Sequence, residues 1–144
     1  DALQYIANPS ERVQMAAVKS NYLSLRYIQN PTLDILKAAV LQDPQAMRQI
    51  TNLDLDTVVE LLKVSTLILG YVPKQIGLTV DMVRQIITEM IANPAVEDRY
   101  VRELVSNPAI GGRQSTWPID ILSLVDVYGS IEAKKIAIDQ YLLY

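Results

Sequence analysis

Cysteine and histidine are both absent from the 144 residues. That removes zinc fingers, haem ligation, disulfides, thiol nucleophiles and imidazole bases together. No glycine-rich phosphate cradle, nucleophile elbow or carboxylate pair in a defined context is present, and Ser, Tyr or Lys would have to act unaided. Catalysis is therefore the least supported class of activity, and no cofactor is implied. The longest stretch without a charge, Val64 to Pro73, is about half of what a bilayer span needs, and no basic and apolar leader opens the sequence. Charge of one sign is not in excess. The net charge is −3, with six basic and seven acidic residues up to Val72 and seven and nine after it, so nothing calls for a polyanionic partner. Lack of cysteine suits a reducing compartment, and a cytoplasmic location is the expectation.

What the chain does have is a repeat. Ala2 to Ser10 (Ala-Leu-Gln-Tyr-Ile-Ala-Asn-Pro-Ser) returns 22 residues later as Ser24 to Thr32 and again as Ala46 to Asp54. The register holds between these markers: Val13 to Val18 falls on Ile35 to Val40 and on Thr57 to Leu62. Apolar positions persist while polar ones change, as expected of stacked units that bury a continuous core and leave an extended surface.

Local signals divide each unit into two short helices. Asn-Pro ends the first, because the residue before Pro is pushed out of the helical region. Ser10, Thr32 and Asp54 then stand where an N-cap is wanted, and Glu11, Asp34, Asp56 and Asp81 fall in first helical turns, where the helix dipole favours negative charge. Apolar faces follow: Val13, Ala16 and Ala17; Ile35, Ala38 and Ala39; Val58, Leu61 and Leu62. Asn21-Tyr22 and Asp43-Pro44 read as the closing turns.

The period slips after Leu62. Leu69 to Val72 reproduces Leu25 to Ile28, but Pro73 to Leu78 adds about three residues before Thr79 to Val83 recovers Thr32 to Leu36. Ile91-Ala92-Asn93-Pro94 matches Ile6-Ala7-Asn8-Pro9 and leads into a helix through Leu104-Val105. Ala109 to Ser115, with Gly111-Gly112, reads as a loop. Thr116-Trp117-Pro118 is expected to restart a helix with Pro118 in its first turn, and Gly129-Ser130 to separate it from a last helix over 131–143. Little or no sheet is expected.

Alternation of a shorter and a longer helix at this period resembles the short helical solenoid repeats, the leucine-rich variant and HEAT-like families. The run Ala-Val-Lys-x-Asn-Tyr-x-Ser-Leu-x-Tyr-Ile-x-Asn-Pro-Thr over Ala17 to Thr32 is also similar to tandem repeats of bacteriophage and giant-virus proteins. The likeness covers Ala2 to about Leu62. It implies architecture and no chemistry. The sequence departs from it where Asn52-Leu53 replaces Asn-Pro and Gln49 replaces Tyr. The expectation is an all-α, right-handed array of helix-turn-helix repeats of 22 residues, regular over 2–72 and divergent or cap-like over 73–144, in one domain. Entry into the first unit without the lead-in seen at Lys19 to Leu23 suggests a fragment of a longer protein. The more polar first helix suits a capping repeat equally.

Several rows of side chains are candidate contacts. Tyr5, Tyr27 and Tyr71 form either a platform for a peptide or, the favoured reading, half-buried wedges whose hydroxyls reach backbone or water. Arg26 and Arg48, with Gln4, form a row that could grip carboxylates or phosphates, set against a solvated ridge. Asn8, Asn30, Asn52 and Asn93 are best read as turn residues bonding their own backbone. Arg99, Arg102, Arg113, Lys134 and Lys135 sit among Glu97, Asp98 and Glu103 and read as ion-paired surface. Trp117 is either an interface anchor or a plug for the last helical layer. Asp54/Asp56 and Glu97/Asp98 lack the pattern of a calcium loop. The binding candidates are thus Arg26, Tyr27, Arg48, Arg113 and Trp117. The expected function is non-catalytic protein-protein interaction, as an accessory or regulatory module of a larger, phage-derived protein whose partner is another protein or another domain of the parent chain. A nucleic-acid or nucleotide-binding module using the arginine ridge is the alternative.

Overall fold

The computed structural model describes residues 2–5, 9–111 and 115–143. Ile6, Asn8 and Arg113, each part of an expectation above, lie outside them. The described chain is helical, with one isolated parallel bridge between Ile110 and Trp117. Its α-helices are α1 (Glu11–Ser20), α2 (Leu33–Gln42), α3 (Leu55–Leu62), α4 (Val80–Ala92), α5 (Asp98–Ser106), α6 (Ile121–Tyr128) and α7 (Ile131–Leu143). Short 3₁₀-helices lie between and before the first of them: η1 (Ala2–Tyr5), η2 (Tyr22–Tyr27), η3 (Pro44–Gln49), η4 (Thr66–Tyr71) and η5 (Lys74–Ile76).

The shorter helix of each unit is therefore a 3₁₀-helix. The first three α-helices start 22 residues apart, and so do η2, η3 and η4. Caps set both spacings. Ser10, Thr32 and Asp54 accept the backbone N–H of Val13, Ile35 and Thr57 at 3.3, 3.3 and 2.8 Å, as expected of N-caps. Asp54 is held below the ordinary carboxylate range by its Thr57 hydrogen bonds. Its capping contribution is thus present above that range and fades as pH falls through the lowered pKa. Asn21, Asp43 and Ser65 cap the 3₁₀-helices by accepting from Leu23, Gln45 and Leu67 at 3.0, 2.9 and 3.3 Å.

Asparagine, more than proline, makes the turn out of η2 and η3. Asn30 and Asn52 have φ of 50° and 56°, the left-handed region that Asn tolerates better than other non-glycine residues. This is why the turn survives when Pro31 becomes Leu53 in the next unit. Asn52→Val is expected to cost about 1–2 kcal/mol in chemical denaturation, and Asn52→Gly to be neutral within a few tenths.

Asn93 belongs to a different turn despite the sequence match at Ile91 to Pro94. Its φ is −80°, it ends an α-helix, and its side chain accepts from Ala95 N at 2.9 Å. That is the place of Asp43-Pro44, and Asn107-Pro108 repeats it, with Asn107 accepting from Ala109 N at 3.0 Å. The three-residue insertion is housed in η5 and in Gly77 at φ 86°, after which Thr79 caps α4. The expected helix start at Thr116-Trp117 also moves. Trp117 is held extended by its bridge to Ile110 and by the Gly111 N–H on its carbonyl (3.0 Å), so Asp120 becomes the cap and Pro118 lies outside the helix. Ser130 caps α7 through Ala133 N at 3.1 Å. Gly129 is required there, since a Cβ would stand 2.5 Å from the Val125 carbonyl oxygen.

The α-helices touch in the order α1, α2, α3, α4 and then α6, while η1, η2, η3 and η4 touch in order and continue into α5 and α7. Between these two files runs one buried cluster from Val18 to Ala137. Equivalent positions fill it: Val18, Val40 and Leu62; Leu25, Met47 and Leu69. Ile28 is buried and Ile50 packs partly buried against the same core. Burial of the expected faces of α2 and α3 is near complete, with Ile35, Ala39, Val58 and Leu61 inaccessible. In α1 it is not: Val13 is 40% exposed, Ala16 is exposed, and Val18 is the buried residue. The helix packs on α2, η1 and η2 and stands at the end of its file, so the position that Ile35 fills in α2 has less to cover it.

Candidate interaction surface

A 3₁₀-helix has three residues per turn, so side chains at i and i+3 lie over one another. In η2, η3 and η4 this buries Leu25, Met47 and Leu69 and turns the next residue outward. Those outward residues are Arg26, Arg48 and Gly70, all exposed and at equivalent places in three neighbouring elements. A Cβ built on Gly70 would meet nothing within 4 Å. Tyr27 is 38% exposed beside Arg26, and Tyr5 is 84% exposed, so these two are not the half-buried wedges expected. Tyr71 is half-buried, and the Arg48 guanidinium lies 5.0 Å from its ring centroid. Such a stack holds the cation in place at a cost to neither its charge nor its donors. Arg26 has no such ring, because Gln49 occupies the position that would supply it.

The charges carried within the 3₁₀ segments have one sign, although Asp43 caps η3 and Glu103 reaches the start of η4. Residues 22–33, 44–53 and 64–80 contain no Asp or Glu, yet they carry Arg26, Arg48 and Lys74. The ion pairs among the described residues are Lys63 with Glu60, Arg84 with Asp81, and Arg99 with Glu97 and Glu103, and none involves these three. Asp43 caps η3 and Glu60 lies in the last turn of α3, while Glu11, Asp34, Asp54 and Asp56 stand at the caps and first turns of the α-helices.

At its Gly70 end the row meets a groove of about 650 Å³. Leu69, Val72, Leu78, Val80 and Trp117 give it an apolar lining, with Lys74 the one charged residue among the described residues that line it. Trp117 is only 8% exposed and belongs to the core as well as to the groove wall. Its Nε1 is buried with no hydrogen-bond partner among the described residues. A second hollow, about 360 Å³, lies between α2, the end of α3 and the turn from α4 to α5. Its cations are largely spent, since Lys63 and Arg99 face Glu60, Glu97 and Glu103 at 3.3 to 3.4 Å.

The expected basic cluster after Ile91 is partly ion-paired, but Glu103 has a larger part than a surface acid. Its side chain is 15% exposed, and its Oε1 accepts from Ser65 Oγ (2.9 Å) and Thr66 N (2.8 Å) at the start of η4. Tyr100 Oη donates to the Leu62 carbonyl (3.1 Å) and Asn107 Nδ2 to that of Thr66 (3.1 Å). Burial first, and then the Glu103 charge, raise the Tyr100 phenol above its ordinary pKa. Three polar side chains of α5 and its C-cap thus fasten this part of the chain to α3 and η4. Their partners lie 37 to 41 residues away in sequence, beyond the reach of spacing arguments. The missing acids of the 3₁₀ segments, by contrast, were open to reading.

Among the described residues no helix is long and apolar enough to cross a membrane. The chain matches no protein-family model, no curated protein and no solved structure.

Proposed function

We propose that this chain is a helical-repeat scaffold, a right-handed array of 22-residue layers, that binds another protein, or another domain of its parent chain, along its 3₁₀ face. The recurrence of both sets of caps and of left-handed Asn30 and Asn52 supports the layered reading. One observation carries the binding reading: an exposed face built on three adjacent elements, where Arg26 and Arg48, with Lys74 in η5, have no ion-pair partner among the described residues and the segments hold no acid. Unspent arginines offer bidentate, charge-assisted hydrogen bonds to carboxylates. A module of this kind is non-catalytic and serves an accessory or regulatory role within a larger protein.

The test is partner capture with the intact parent protein, comparing wild type with the Arg26→Ala/Arg48→Ala variant. Affinity for the captured partner is expected to fall about tenfold or more, with the melting temperature nearly unchanged. Equal loss of both would make the row structural and end this reading. Tight binding of a single-stranded oligonucleotide with a steep salt slope would favour nucleic acid instead.

A further inference from the structure

We infer that the 3₁₀ face takes an extended, acidic segment in the polyproline II conformation, anchored by an apolar side chain in the groove beside Gly70. This rests on the interaction reading above and adds to it the geometry of the partner. Neighbouring packed helices stand about 8–10 Å apart. Polyproline II advances 3.1 Å per residue with three residues per turn, so every third side chain returns to one face after about 9.3 Å. A segment lying across η2, η3 and η4 would then offer one side chain to each element, three residues apart. A β-strand would not, because residues three apart on a strand point to opposite sides.

The three equivalent positions differ in what they ask for. Arg26 and Arg48 are exposed cations with no ion-pair partner among the described residues and call for carboxylates. Arg48 is already held by its stack on Tyr71 (5.0 Å), which lowers the ordering cost of binding. At the third position the side chain is missing: Gly70 is exposed, its Cβ direction is open, and it borders the apolar groove of about 650 Å³. An aliphatic residue fits there. The exposed Tyr27 ring beside Arg26 supplies aromatic surface of the kind on which polyproline II segments dock, while the Tyr71 ring is taken up in holding Arg48. Trp117, the single tryptophan, stands in the groove wall and so reports on what enters. The partner pattern is an apolar residue with carboxylates at three and six residues' distance.

The experiment uses the full 144-residue chain and synthetic peptides on a proline and alanine background, with one leucine and glutamates three and six residues from it, in both chain directions. Binding is read by anisotropy of a labelled peptide and by Trp117 emission. In one direction, changing the glutamate spacing from three to two, or the leucine to alanine, should each weaken binding about tenfold. Only leucine-bearing peptides should shift the Trp117 emission. Gly70→Leu, which fills the groove mouth on an unstrained backbone, should abolish the leucine advantage and leave the effect of Arg48→Ala intact. Equal affinity across spacings, or for leucine and alanine, overturns this inference while acidic-peptide binding lost in Arg26→Ala/Arg48→Ala keeps the interaction reading. Absence of binding by every acidic peptide overturns the inference alone if captured partners still depend on the two arginines, and both readings if they do not.

Discussion

Glu103→Ala is expected to lower stability by about 2–4 kcal/mol, a large loss for one partly exposed carboxylate. The size follows from what the side chain leaves behind. Ser65 and Thr66 are 2% and 0% exposed, and Oε1 of Glu103 accepts both the Ser65 hydroxyl and the Thr66 amide. Removing it strands buried donors, each costing about 1–3 kcal/mol. Water cannot replace them without opening the contact between α5 and η4. The equivalent turns of the earlier units need no such help, since Asn21 and Asp43 bring their own strong acceptors. Ser65 is the weaker cap, with its acceptor 3.3 Å from Leu67 N, and Glu103 makes up the difference from another helix. Glu103→Gln keeps an acceptor and should lose about 1 kcal/mol, while Glu97→Ala, at a side chain 73% exposed, should lose almost nothing. Urea unfolding of the three variants checks the order, and a loss in Glu103→Ala no greater than in Glu97→Ala would contradict it.

The parts of the fold that were legible in the sequence are those made by neighbours in the chain. Ser10, Thr32 and Asp54 cap the helices they precede because an N-cap bond spans three residues, and the residue types that make it are few. The three-residue slip before Thr79 was visible for the same reason. Errors arose where one dipeptide serves two turns. Asn30-Pro31 leaves a 3₁₀-helix through a left-handed Asn, whereas Asn93-Pro94 leaves an α-helix through an Asx turn, and only the preceding helix tells them apart. Trp117-Pro118 reads as a helix start until the pairing of Trp117 with Ile110 is seen. Val13 follows the apolar pattern of Ile35 but stands at the end of the file, where the pattern has less to pack on.

The candidate surface was half legible. Arg26 and Arg48 stood out by their spacing, and both are exposed. That Arg48 would meet Tyr71 was hidden, because the contact joins position 48 of one unit to the aromatic position of the next. Trp117 was singled out as the only one of its kind, and its place in both core and groove wall depends on the Gly70 side of η4, which no local pattern specifies. Polar fastening by Tyr100, Glu103 and Asn107 was invisible for the same physical reason: it joins segments 37 to 41 residues apart that only the tertiary fold brings together.

The central claim is that the 22-residue blocks are equivalent layers that see only their neighbours. Duplicating residues 33–54 in place tests it most directly. The inserted block begins at the first residue of α2 and ends at the N-cap of α3, so each outer junction keeps its native neighbour and two new contacts are added, α2 and η3 each on a copy of itself. Thermal unfolding followed by circular dichroism should show a single cooperative transition, with helical signal increased in proportion to the added residues. Duplicating 44–54 alone adds half a layer, sets η3 against the wrong file and should abolish cooperative unfolding altogether. A duplicated 33–54 chain that unfolds no more cooperatively than the half-layer control would contradict the account.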